Sequence, residues 1–209
     1  LALDGPSSTC LPADAHLVFV EEGHQYTAWG QRVERSTTKL LDACFADFDG
    51  EGCVETYYDT WKANPKSKYH AGIHAALAAG LGDEGAKAGV RSAWAALGAE
   101  ARRLGTALHA HCELDLNGAG GAPAVAELAA EIAQYEQFKA SAFVAERGLK
   151  PYRTELCVAY RAEEDGVVVC AGRVDALFVD AEGAFYLFDF KRSKHKLGAA
   201  RQRGYWGAM

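Results

Sequence analysis

The sequence has no long apolar run, no secretion signal and no closely paired cysteines. No apolar stretch among its 209 residues reaches the about 18 residues that a membrane helix requires. Residues 1–5 show neither the basic region nor the apolar core of a signal peptide. We therefore expect a soluble, intracellular protein that has no membrane partner.

The six cysteines are scattered, and none of them forms a Cys-x-x-Cys pair. A structural zinc site needs paired spacings, and a secreted disulfide scaffold is shorter and richer in cysteine. Reduced and mostly buried thiols are therefore expected. With 49% apolar and 24% charged residues, the composition is that of a globular protein, which excludes a disordered chain or a coiled-coil rod.

The net charge of −6 argues against a passive nucleic-acid coat, yet one stretch near the C-terminal end is strongly basic. Between residues 191 and 206 there are lysines, arginines and two aromatic residues but no acidic residue. Such a stretch can contact phosphates and stack on bases, or it can be a solvated basic loop. Its candidate nucleic-acid contacts are Arg192, Lys194, Lys196, Arg201 and Arg203.

Helical patterns come first along the chain and strand patterns follow. Residues 1–14 are rich in Pro, Ser and Ala, so we expect a loose arm there and a single domain over 15–209. Gly105 is expected to interrupt the longest helix, because glycine weakens a helix interior. An antiparallel meander after helices indicates the α/β or α+β class. The patterns predict strands over 16–20, 24–27, 152–160, 167–179 and 185–191, and helices over 54–80 (broken near Pro65), 84–116 and 124–146.

The last two predicted strands bring three charged side chains together. A three-residue turn that ends in Gly183, at positive φ, sets a register that pairs Asp175 with Asp189. Cross-strand partners share a face, and Lys191 lies on that face two residues further on. Neighbouring carboxylates repel each other unless a cation binds, and Mg²⁺ binds both carboxylates and substrate phosphates. The spacing alone equally allows a solvated Asp–Lys cluster.

A second cluster lies on the helix predicted over 84–116. His109 and Glu113 are four residues apart and share a helix face. Imidazole is a common metal ligand, and a carboxylate one turn away can ligate or orient it; an exposed His–Glu pair is the alternative. Glu155 is a further candidate carboxylate. His111 could complete a zinc site, but it lies two residues from His109 and therefore points to another helix face.

Together these segments resemble the PD-(D/E)xK nuclease superfamily, in its RecB-like exonuclease branch, to which mitochondrial genome-maintenance exonucleases belong. The resemblance is carried by residues 105–109 with Glu113, by Gly-Arg-Val-Asp at 172–175 and by Asp-Phe-Lys at 189–191. It implies a restriction-endonuclease-like fold, in which a central mixed β-sheet with an antiparallel β-meander is flanked by helices. Segments that look like a leader in some viral and eukaryotic members are 24–26, 36–41 and 45–49.

The resemblance also implies an activity, which is the Mg²⁺- or Mn²⁺-dependent hydrolysis of phosphodiester bonds in DNA, at single strands or duplex ends. Lys191 matches the catalytic lysine, and Glu155 matches a catalytic glutamate found upstream of the glycine motif. The implied metal ligands are His109, Asp175, Asp189 and the main-chain carbonyl of Phe190.

One departure from the family pattern lies at the end of the chain. RecB-like members carry a Gln-x-x-x-Tyr motif on a helix after the lysine, whereas Gln202 precedes Tyr205 by three residues. We interpret this spacing as a truncation before that helix. The alternative function is a catalytically inactive nuclease-fold module that binds nucleic acid or a protein partner. Nucleus, mitochondrion and the host cell of a virus all stay open as compartments.

Overall fold

The computed structural model describes residues 14–46, 48–122 and 125–192. Its contacts divide the chain into two compact units, one formed by Leu1–Thr37 with Leu104–Met209 and one formed by Thr38–Arg103. Two compact units can belong to one domain, so the single domain over 15–209 stays a prediction. The arm over 1–14 lies almost entirely outside the described residues.

The first unit begins with a small antiparallel sheet. Strands β1 (Leu17–Val20), β2 (Gln25–Ala28) and β3 (Gln31–Arg32) follow one another in the order β1-β2-β3. Side chains alternate along these strands, so Leu17 and Tyr26 are buried while their neighbours face outward. The two strands predicted near the start of the chain are therefore confirmed.

The second sheet of this unit is the predicted antiparallel meander. It consists of β4 (Lys150–Arg161), β5 (Val168–Val179) and β6 (Phe185–Phe188), in that order. Leu177 pairs with Leu187, which is the register expected from the turn, and Gly183 has φ +88°. The strand predicted to reach Lys191 ends at Phe188, because the amide of Phe190 donates to a carboxylate oxygen of β5 and not to a strand carbonyl.

A close approach between two segments explains the glycine of the Gly-Arg-Val-Asp motif. The Thr37 hydroxyl donates a hydrogen bond of 3.1 Å to the carbonyl of Ala171, and Ser36 forms a parallel bridge with Ala171. A Cβ at position 172 would lie 2.6 Å from Thr37 Oγ1. Gly172 therefore allows the segment before residue 38 to cross β5.

Helices pack on one face of the meander. The long helix α4 (Gly82–Leu116) continues without a break through Gly105, contrary to the prediction, because the buried side chains on either side of that glycine hold the helix against the sheet. The core of this face contains Leu104, Leu108, Cys112, Leu116, Leu128, Tyr135, Leu149, Ala176 and Phe178.

The helix predicted over 124–146 is divided. A 3₁₀ turn at Ala126–Leu128 precedes α5 (Ala129–Lys139), and α6 (Ala142–Arg147) follows after a short break. Ser141 makes this break because its hydroxyl accepts a hydrogen bond from the amide of Val144 and so caps a new helix.

The second unit is helical. Beyond α1 (Thr37–Asp42), which begins at the boundary, it holds α2 (Gly50–Ala63), α3 (His70–Ala78) and the first part of α4. The break between α2 and α3 confirms the interruption predicted near Pro65. Its core is formed by Val54, Tyr58, Ile73, Ala86 and Val90, with Trp61, Tyr69 and Trp94 packed against them.

The mixed α+β class is thus confirmed for the described residues, in which both sheets are antiparallel and three-stranded. The structure does not confirm the central mixed sheet that the family resemblance implies. Within the same residues, no helix is both long enough and apolar enough to span a bilayer.

The contact between α4 and α5 depends on a half-buried acid. Asp115 accepts hydrogen bonds from the Tyr135 hydroxyl at 2.8 Å and from Lys139 Nζ at 2.6 Å. Burial raises the pKa of Asp115, and the hydrogen bonds from these two donors lower it. The combined lowering is larger, so the pKa of Asp115 lies below its ordinary value of 3.8. We expect Asp115→Asn to lower the free energy of unfolding by about 1.5 kcal/mol at neutral pH. Urea unfolding followed by tryptophan fluorescence measures this loss.

The pH dependence of the same variant gives a second readout. A carboxylate whose folded-state pKa is depressed stabilises the protein above its ordinary pKa, and that contribution disappears as the pH falls through the folded-state value. The difference between wild type and Asp115→Asn should therefore shrink below about pH 3.8. Glu136→Gln is the control, because Glu136 binds the same lysine from an exposed position and should change stability by less than about 0.5 kcal/mol. Equal effects of the two variants would contradict this account.

Candidate metal centre

The centre begins with two carboxylates on neighbouring strands. The pairs Thr154–Ala176 and Leu156–Val174 join β4 to β5, which places Glu155 opposite Asp175. Glu155 has φ +48°, a conformation that non-glycine residues adopt at a cost of about 1–2 kcal/mol. The pairs on either side of Glu155 keep one register, so the irregular backbone lies within an otherwise regular stretch of the β4–β5 pairing.

Helix α4 contributes an imidazole to the same place. His109 Nδ1 lies 3.6 Å from Asp175 Oδ1, and His109 Nε2 lies 2.5 Å from the main-chain oxygen of Phe190. One ring nitrogen therefore faces a carboxylate and the other faces a carbonyl. Both oxygens belong to residues that the family resemblance names as ligands.

His109, Glu155 and Asp175 converge closely enough to bind one ion. One ligand atom from each residue lies within 4.8 Å of the other two, and all three residues are partly buried. Two carboxylates, an imidazole and a nearby carbonyl form a donor set that suits Mg²⁺ or Mn²⁺. The residues present therefore fit the cation that the resemblance implies.

Glu155 carries the unfavourable electrostatics of this arrangement. Burial raises the pKa of its carboxyl above the ordinary value of 4.5, and the nearby charges of Asp175 and Glu113 raise it further, against the opposing effects of Arg173 and His109. Arg173 Nε lies 2.5 Å from Glu155 Oε2. An arginine thus supplies the positive charge that this carboxylate needs.

The Asp-Phe-Lys segment lies just beyond β6 and is attached on both sides. The Phe190 amide donates a hydrogen bond of 2.6 Å to Asp175 Oδ2. Two residues later, Arg192 Nε lies 2.8 Å from Glu131 Oε1 in an ion pair whose side chains are only 16% and 19% exposed. Lys191 is therefore held between two anchored neighbours.

Asp189 does not join the three converging residues. Its Oδ1 accepts a hydrogen bond of 2.7 Å from Lys191 Nζ, and both side chains are more than half exposed. The β5–β6 pairing ends at Ala176–Phe188, one residue before the predicted pair of Asp175 with Asp189, so Asp189 follows the strand and is not paired in it. The carboxylate brought next to Asp175 in the described residues is, however, that of Glu155.

The basic stretch is only partly within the described residues. Arg192 was expected to contact nucleic acid, but its guanidinium is paired with Glu131 inside the fold and is not part of an open basic surface. A single sequence cannot reveal this, because Glu131 is 61 positions away. The remaining candidates, Lys194, Lys196, Arg201 and Arg203, lie outside the described residues.

The other two candidates on α4, Glu113 and His111, lie on different faces of the helix. Glu113 lines the same cavity as His109 and Glu155, as a residue one turn away should. His111 instead faces the loop after α4, where its Nδ1 lies 3.2 Å from the carbonyl oxygen of Ala122. The alternative zinc site, which needs His111 beside His109, therefore has no geometric support.

Arg173 is a residue of the centre that was not predicted from the sequence. This arginine belongs to the Gly-Arg-Val-Asp motif, and it pairs with both Glu155 and Glu21. The sequence did contain a sign of this role, because Arg173 lies two residues before Asp175 and the two side chains therefore share a face of β5. The glutamate partners were not visible because they come from other segments of the chain.

A metal-binding measurement tests this centre directly. We expect His109→Ala, Glu155→Gln and Asp175→Asn each to weaken Mn²⁺ binding by at least about tenfold, because each removes a donor from the group. Isothermal titration calorimetry without nucleic acid gives the dissociation constants. Glu182→Gln, on the exposed turn after β5, is the matched control and should leave them unchanged. Unaltered Mn²⁺ affinity in all three variants would rule out a site at these residues.

Comparisons with known proteins add no relative from which a function could be transferred. The chain matches no protein-family model, no curated protein and no solved structure.

Proposed function

We propose that this chain is a Mg²⁺- or Mn²⁺-dependent deoxyribonuclease that hydrolyses phosphodiester bonds, acting as an exonuclease on single strands or duplex ends. The observation that carries the proposal is the convergence of His109, Glu155 and Asp175 directly beside the anchored segment that holds Asp189 and Lys191. The proposal includes the finer fold assignment, a restriction-endonuclease-like arrangement built around the β4–β6 meander.

The metal would be held by residues from three different elements. His109 comes from α4, Glu155 from β4 and Asp175 from β5, so folding alone assembles the site. The family resemblance adds Asp189 and the Phe190 carbonyl, and the latter already lies beside His109. When bound, the cation supplies Lewis-acid chemistry, since it neutralises phosphate charge and makes water a stronger nucleophile near neutral pH.

The residues of the chain would position the reacting groups around the metal. Asp175 has two functions, because one carboxylate oxygen faces His109 while the other accepts the Phe190 amide. That second contact ties the Asp-Phe-Lys segment to the centre. In the proposed mechanism Lys191 Nζ, an exposed cation, would stabilise negative charge that develops on a phosphodiester or orient the attacking water.

The proposed substrate follows from charge as well as from the motifs. A chain with a net charge of −6 attracts a polyanion only through local positive groups. Lys191 is the described member of the basic stretch that stays exposed, at 69% of its side chain. The lysines and arginines beyond residue 192 belong to the proposal on sequence grounds alone.

The first test concerns the two exposed residues of the motif. We expect Asp189→Ala and Lys191→Ala each to abolish cleavage, with a loss of at least about 100-fold, because one removes a proposed ligand and the other removes a positioned cation. End-labelled single-stranded and double-stranded DNA, incubated with Mg²⁺ or Mn²⁺, report the rate. Circular dichroism and the urea midpoint should stay as in wild type, since both side chains are solvent-exposed.

The control is Lys150→Ala, which removes an exposed lysine from the far end of β4 and should leave the rate unchanged. Wild-type cleavage in Asp189→Ala or Lys191→Ala would contradict the mechanism. If the wild-type chain binds labelled single strands without divalent metal and shows no cleavage with Mn²⁺, the non-catalytic binding module replaces the nuclease as the function.

A further inference from the structure

A cavity of about 400 Å³ opens beside the three converging residues, and Arg173 lies on its wall together with His109 and Glu155. The guanidinium bridges two acids, with Nε 2.5 Å from Glu155 Oε2 and Nη1 3.3 Å from Glu21 Oε2. Its central carbon lies 4.6 Å from the centre of the Phe19 ring. The side chain remains 32% exposed, so solvent and ligands can reach it.

We propose that Arg173 is a substrate-phosphate ligand that leaves Glu155 when a divalent cation binds there, and that the cavity takes a phosphodiester group of the nucleic acid. This inference rests on the proposed function, because it names a residue that would bind the substrate at the same site. Arg173 is not one of the residues expected from the motifs to contact either the metal or the nucleic acid.

The exchange follows from competition for one carboxylate. A cation held by Glu155 shares that carboxylate with Arg173, and the two positive groups repel each other at short range. Binding of the cation therefore weakens the Arg173–Glu155 pair, and the presence of the pair weakens binding of the cation. A phosphate entering the cavity offers the released guanidinium a new anionic partner.

The surroundings of Arg173 keep it in place after the exchange. Phe19 belongs to β1, so its contact with the guanidinium of Arg173 does not depend on the metal residues. The face of the Phe19 ring attracts the positively charged guanidinium of Arg173 and restricts it to the wall of the cavity. The planar guanidinium carries several N–H donors in a fixed fork, which match two phosphate oxygens better than an ammonium group does.

The experiment measures two affinities of the same variant. For Arg173→Met we expect binding of an end-labelled single-stranded oligonucleotide in Ca²⁺ buffer to weaken about tenfold, since a charge-assisted contact is lost. The slope of log affinity against log salt should fall by about one. Binding of Mn²⁺ without DNA, measured by calorimetry, should strengthen about threefold because the competing cation is gone.

The opposite signs of these two changes separate a ligand from a structural residue. If Arg173 only holds the site together, DNA and Mn²⁺ both bind more weakly, and the proposal is overturned. Unchanged DNA affinity or unchanged Mn²⁺ affinity in Arg173→Met also overturns the proposal for Arg173. If the wild-type chain nevertheless binds the metal and cleaves DNA, the nuclease function stands. A wild-type chain that binds neither Mn²⁺ nor DNA overturns both.

Two more variants separate the role of Arg173 from an effect of net charge and from a loss of folding. Arg161→Met removes another arginine of the meander, one whose guanidinium lies 5.5 Å from the centre of the Trp29 ring. This variant should change neither the DNA affinity nor the Mn²⁺ affinity. An equal loss of DNA binding in Arg161→Met would assign the effect to net charge and refute the proposal. Should Arg173→Met fail to fold, Glu21→Gln serves instead, because Glu21 is 72% exposed. We expect about threefold tighter DNA binding in Glu21→Gln because the guanidinium loses a competing anion, and unchanged or weaker binding contradicts the role of Arg173.

Discussion

The carboxylate of Asp175 joins the parts of this molecule on which the functional account depends. Its Oδ2 accepts the amide of Phe190 and so fixes the segment after β6, while its Oδ1 faces the imidazole of His109 on α4. Opposite it on β4 lies Glu155. One side chain thus connects two strands, a helix and a loop, and it does so only if the β5–β6 register is correct. The turn that ends in Gly183 sets this register, since its positive φ allows a tight return.

Much of this arrangement could be predicted from the sequence because local rules determine it. A glycine turn between two apolar strands specifies a hairpin register, and that register aligns Asp175 with Asp189 before any coordinates are known. The four-residue spacing of His109 and Glu113 likewise predicts that the two side chains share a helix face, and both line the same cavity. Non-local packing decided the rest. The left-handed backbone of Glu155 has no sequence signature, and the partner of Arg192 is a residue of α5, so its pairing could not be inferred from its basic neighbours.

Helix patterns in the sequence misjudged two places, one where packing outweighs local propensity and one where a local cap begins a new helix. Gly105 has a low intrinsic helix preference, yet α4 continues through it because Leu104 and Leu108 are buried against the sheet. Conversely, a helical pattern over 124–146 is divided at Ser141, whose hydroxyl caps a new helix. In both cases the error concerns where elements begin and end, and the residues that form the candidate centre keep their predicted elements.

The central claim is that His109, Glu155 and Asp175 together hold a divalent cation. Crystals of the protein soaked in Mn²⁺ and measured at the manganese absorption edge test it most directly, because the anomalous signal locates the ion without reference to activity. The account predicts an anomalous peak within coordination distance of all three side chains. Ordered side chains without a peak between them, or a peak confined to the exposed Asp189–Lys191 pair, would contradict it.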